Sequence, residues 1–96
     1  MRLVLAGDLD LATAGEAELA ILTAEETQPP VLILDLSELD FMDSTGLRVI
    51  VSAASRAGDD ERRLVLVKGP EVVQRVFEIT RLAERLDIVD SVDDLD

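Results

Sequence analysis

The chain has 96 residues, 48% of them hydrophobic, a formal net charge of −12, and neither Cys nor His. That length suits one domain, residues 1–96, with one core, and the composition argues against disorder. Without Cys or His there is no disulfide, no thiol catalysis, no zinc–thiolate site and no Ser-His-Asp arrangement.

Arg2–Ala6 is short, apolar and strand-like, and Gly7-Asp8-Leu9-Asp10 is expected to break it. Asp10 or Thr13 can cap a helix over roughly Thr13–Ala24, where Ala14, Ala17, Leu19 or Ala20, Ile21 and Ala24 fall near helical spacing. Pro29-Pro30 bars its continuation. Val31–Leu36 is a continuous apolar run, the pattern of a strand covered on both faces. A second helix is expected over Ser44–Ala57, with Leu47, Ile50, Val51, Ala54 and Ala57 as its apolar stripe and Gly58 as its C-cap. Asp59–Arg63 reads as a solvated, charged turn, and Leu64–Val67 as another strand. A third helix is expected over Pro70–Thr80, with Pro70 in its first turn and Val73, Val76 and Phe77 buried. Asp87–Val89 is a short final strand, and the acidic end Ser91–Asp96 is expected to fray. Strands alternating with single helices give an α/β fold. It has about four mostly parallel strands, right-handed crossovers, three main helices and a short C-terminal turn.

The charge is unevenly placed. From Leu3 through Leu47 there are ten acidic residues and no basic one. Such a surface disfavours nucleic acid and anionic membranes as partners and favours a basic protein surface, though solubility alone accounts for the acidity equally well. No apolar run is long enough to span a bilayer, and the N-terminus lacks the pattern of a signal peptide, so a cytoplasmic location is the default expectation.

The stretch Asp40-Phe41-Met42-Asp43-Ser44-Thr45-Gly46-Leu47 joins a strand-like run to a helix. Ser44 at that junction has two ready states. Its hydroxyl can cap the helix, or it can carry a phosphate set against unpaired backbone N–H groups. Asp43 can orient that hydroxyl or cap the helix itself. Thr45 is a second candidate phosphosite, an ordinary first-turn role being the simpler reading. Gly46 costs a helix about 1 kcal/mol relative to Ala. Access for a partner explains its presence, and so does a close helix–strand contact. Asp8, Asp10, Asp35, Asp40 and Asp43, with Lys68 after a strand, also invite a Mg²⁺-dependent phosphoaspartate receiver. Receivers are longer and place paired acids directly after the first strand; capping and solubility account for most of these residues. No metal site and no cofactor are assigned.

Val31–Leu47, VLILDLSELDFMDSTGL, resembles the signature of STAS domains, the sulfate transporter and anti-sigma factor antagonist fold. Ala6-Gly7-Asp8-Leu9-Asp10 is similar to that family's Gly-x-(Leu/Ile)-Asp turn, and Leu64–Leu82, with Gly69-Pro70, to its third strand–helix unit. The resemblance implies a regulatory protein rather than an enzyme. Its partner would be an anti-sigma factor that is also a serine kinase. Phosphorylation would cost affinity, and a phosphatase would reset the protein. Ser44 matches the family's phosphorylated serine. The implied partner surface is Asp10, Asp43, Ser44, Thr45, Gly46 and Arg48. Family members usually carry a further strand ahead of Arg2–Ala6, which Met1 leaves no room for here. The resulting edge strand suits a homodimer, and a non-phosphorylated STAS scaffold for assembly is a third reading.

Overall fold

The four apolar runs become four strands, and the intervening segments fold into helices. The computed structural model describes residues 1–95. In chain order the elements are β1 (Arg2–Leu9), α1 (Ala14–Glu26), β2 (Val31–Met42), α2 (Ser44–Asp59), β3 (Arg63–Val67), α3 (Glu71–Thr80) and β4 (Ile88–Val89). Short 3-10 turns occupy Leu82–Glu84 and Val92–Leu95, the latter where fraying was expected; Asp96 lies outside the described residues. The sheet order is β1-β2-β3-β4 and every neighbouring pair is parallel. Right-handed crossovers stepping the same way across a sheet all return over one face. The helices accordingly share one layer and one core. Ile21 of α1, Ile50 and Ala53 of α2, and Val73 and Phe77 of α3 are buried with Leu5, Leu34, Leu36 and Leu66 of the strands. A doubly wound receiver has the order 2-1-3-4-5, so the topology gives the phosphoaspartate reading no support.

The strands run longer than the hydrophobic pattern predicts. Gly7 does not break β1. It takes φ +80°, which only glycine adopts at little cost, and pairing continues until Leu9 faces Met42. The register shifts twice, between Val4 and Ala6 and between Gly7 and Asp8. Val4 and Ala6 lie opposite Asp35 and Glu38, so β2 carries the extra residue, as in a bulge. β2 therefore spans 12 residues and ends at Met42 rather than Leu36. Its second half was hidden because the bulges disturb the two-residue alternation that marks a strand.

The helices differ in smaller ways. In α1 the stripe uses Ala20, which is half-buried, while Leu19 is exposed. In α2 the buried line is Gly46, Leu47, Val49, Ile50, Ala53 and Ala57; Val51 and Ala54 are only half-buried. α2 continues through Gly58 to Asp59 instead of ending at a glycine cap, and the chain turns at Glu61, φ 57°. Pro70 stands as the N-cap of α3 rather than in its first turn. Gln74 is buried beside Val73, its Oε1 accepting from the Gly69 N–H at 3.0 Å.

β1 is an outer strand of the sheet. Its first side chain reaches inward: Arg2 donates to Asp35, which is 1% exposed in β2. Burial alone would raise the Asp35 pKa. The Ser37 hydroxyl and backbone N–H, with Arg2, outweigh it and hold the carboxyl below its ordinary value. Stability from this lowered pKa is present above the unfolded carboxylate's pKa of about 3.9 and is lost as pH falls through the folded value.

Candidate functional site

The parallel register carries the ends of β1 and β2 to the same edge, where Leu9 faces Met42. The Asp43 N–H then donates to the Leu9 carbonyl at 3.2 Å, which sets the β1–α1 loop beside the start of α2. The loop is tied by its own side chains. Asp10 Oδ1 accepts from the N–H groups of Ala12 and Thr13 at 3.0 and 3.2 Å, and Thr13 Oγ1 donates to the Asp8 carbonyl at 2.6 Å. Asp10 thus orders the approach to α1, whereas Thr13, the helix N-cap, makes no side-chain cap bond.

At α2 the cap is Asp43, not Ser44. Its Oδ1 accepts from the N–H groups of Thr45 and Gly46 at 2.9 and 3.1 Å. Its backbone is extended, as an N-cap requires, and its carboxylate is a charge-assisted acceptor where a hydroxyl would be neutral. Two consequences follow. Ser44 becomes the first helical residue, exposed, with no hydrogen-bond partner for its hydroxyl among the described residues. The backbone N–H groups of Thr45 and Gly46, which a phosphate was expected to use, are already occupied.

Thr45 is half-buried and Arg48 exposed; both line a shallow groove between α1 and α2, which Glu18 also lines. Gly46 is buried. A Cβ there would lie 2.5 Å from the Leu9 carbonyl oxygen and 2.7 Å from Leu9 Cγ. Close packing of α2 on the end of β1 is therefore the reason for this glycine, and its bearing on any docking surface is indirect.

Two apolar residues near this edge went unnoticed in the sequence. Leu11, next to Asp10, is 79% exposed, and Phe41, which pairs in register with Asp8, is 42% exposed. Single exposed apolar residues are ordinary. Phe41 stands inside the Asp40–Leu47 stretch itself, whereas only the fold brings Leu11 to this edge.

A different arrangement holds the far end of α2. Arg56 Nε donates to both carboxylate oxygens of Glu25, at 2.9 and 3.0 Å, and Arg62 Nη2 lies 3.4 Å from Glu25. The hydrogen bonds that Arg56 donates to Glu25 raise the Arg56 pKa despite its burial. Arg56 Nη2 sits 2.8 Å from Glu25 Oε1 without hydrogen-bond alignment and is buried with no other partner. Arg62 also donates to Asp60 at 2.9 Å, so it ties the turn to α1 and is largely buried where it was expected to be solvated. Among the described residues no three acidic side chains gather as a metal site would require, and no helix is long and apolar enough to cross a membrane.

Comparison with known proteins gives a consistent result. The STAS domain family model matches residues 1–95. An anti-sigma-B factor antagonist of Listeria monocytogenes is 36% identical over 83 residues, which is 86% of this chain and 73% of that protein. The crystal structure of an anti-sigma factor antagonist from Mycobacterium paratuberculosis superposes with a TM-score of 0.89 at 27% identity, covering 97% of this chain and 79% of the other. The anti-sigma factor antagonist SpoIIAA, in its unphosphorylated form, shares the fold with a TM-score of 0.71 at 20% identity, over 97% of this chain and 81% of the other.

Proposed function

Because this chain belongs to the STAS domain family, among the anti-sigma factor antagonists, we propose that it binds an anti-sigma factor through the Ser44 edge and is released by phosphorylation of Ser44. The observation that carries this reading is the state of the Ser44 hydroxyl: exposed and without a partner among the described residues, on a helix already capped by Asp43. A kinase can reach it without unfolding anything. Asp10, Asp43, Thr45 and Arg48 complete the docking edge, Leu11 and Phe41 supply its apolar contacts, and Gly46 supports it from below. A cytoplasmic setting and a resetting phosphatase belong to the same reading.

The chemistry rests with the partner. No His is present, and no base is bonded to Ser44 Oγ among the described residues. The kinase must therefore accept the hydroxyl proton as Oγ–P forms and the bond to the ADP leaving group breaks. Adding a dianion to a desolvated contact costs several kcal/mol unless a cation answers it, and Asp43 and Asp40 add like-charge repulsion. A loss of about 2.8 kcal/mol weakens binding about 100-fold. Titration against the anti-sigma factor tests this. Ser44→Asp should bind about 100-fold more weakly, while Ser44→Ala should bind but take up no phosphate. Equal affinity for wild type and Ser44→Asp rejects the mechanism.

The outer position of β1, with Val4 exposed, favours one further use, a homodimer through that edge in a scaffold role. It predicts a concentration-dependent oligomer and an indifferent Ser44→Asp.

A further inference from the structure

A phosphate on Ser44 would enter an anionic neighbourhood, with Asp43 adjacent in sequence and Asp40 and Asp10 at the same edge. The helix end has little left to offer it, because Asp43 holds the Thr45 and Gly46 N–H groups. Besides water, a side chain is what remains to meet the charge. Arg48 stands four residues along α2, exposed, and makes no ion pair among the described residues. It is the first basic residue after Arg2. Residues four apart share a helix face, and helical side chains lean toward the N-terminus, so Arg48 leans toward Ser44. Anion first and cation four residues later is also the favoured order for such a pair.

Resting on Ser44 as the phosphosite, we propose that Arg48 is the internal counter-ion of that phosphate, closing a forked pair along the exposed face of α2. Phosphorylation then acts twice on the docking edge. It adds an anion, and it withdraws a guanidinium that the unmodified protein leaves free. Glu18, across the groove, is the competing carboxylate.

The test uses the full chain with phosphoserine genetically encoded at position 44 and follows the phosphate by phosphorus NMR against pH. The second phosphate ionisation, ordinarily at about 6, should fall a few tenths of a pH unit lower in the wild type than in Arg48→Gln. Arg48→Lys should recover part of the shift, since it keeps the charge and loses the fork. The difference should collapse in about 1 M salt. Asp10, Asp40 and Asp43 stand near the phosphate alike in every variant and cancel, and Glu18→Gln, which frees Arg48 of its competitor, should enlarge the wild-type shift. Circular dichroism checks that the exposed substitutions leave the fold intact. An unchanged phosphate pKa in Arg48→Gln, or a difference that survives high salt, overturns the proposal. The encoded phosphoserine needs no kinase, so failure here is separable from failure of Ser44 to be a kinase target, which Ser44→Asp and Ser44→Ala read independently.

Discussion

The two ends of α2 are fastened in opposite ways. Its start is held by one carboxylate cap and one glycine contact, with an exposed hydroxyl between them. Its last turns are held by charge, Arg56 and Arg62 converging on Glu25 of α1, whose side chain is 9% exposed. Among the described residues, the ion pairs that hold the helix thus lie at the end remote from Ser44. Among the described residues a new charge at the start meets no ion pair that it could dismantle, so the proposed modification would leave the fold intact. What is rigid at the start is steric: the contact of Gly46 with Leu9.

Gly46→Val should show the largest effect. Its Cβ would fall 2.5 Å from a backbone oxygen that cannot step aside, and a loss of about 3 kcal/mol or more in urea unfolding is expected. Glu25→Ala comes next. It strands Arg56, while Arg62 keeps Asp60, and because Arg56 keeps partial contact with solvent the loss should be about 2 kcal/mol, below the range for a fully buried pair; affinity for the anti-sigma factor should not change. Asp43→Ala removes the cap and should cost about 1 kcal/mol. If denaturation ranks Asp43→Ala above Glu25→Ala, the contrast between the two ends is broken. Gly58→Ala sharpens it from the other side. A Cβ there meets nothing within 4 Å, so this glycine should gain about 0.5–1 kcal/mol in melting experiments on exchange for Ala, opposite in sign to Gly46 on the same helix.

Much of the architecture was legible because its signals are local. Pro29-Pro30 marks the end of α1, Val31–Leu36 marks a strand, although Val31 and Ile33 are only half-buried where cover on both faces was expected, and alternating units imply parallel pairing. The second half of β2 was not legible, since bulges opposite β1 erase the alternation that identifies a strand. Ser44 was located correctly at the head of α2, but the cap fell to Asp43, because serine and aspartate side by side both suit that position and only the backbone angles decide between them. Arg62 looked like part of a solvated turn; besides Asp60 in that turn it reaches Glu25, 37 residues away. Leu11 matters only once the turn after β1 meets the end of β2 at one edge, a long-range fact that no window of sequence contains.

Each strand pairs only with its neighbours in sequence, and that has a consequence for how the molecule is made. No late segment must be inserted between earlier ones, so closure can follow the order in which residues leave the ribosome. Leu9, Asp43 and Gly46, whose contacts shape the Ser44 edge, all precede the end of α2 at Asp59. The surface proposed to meet a regulator is therefore assembled from the half of the chain that is synthesised first.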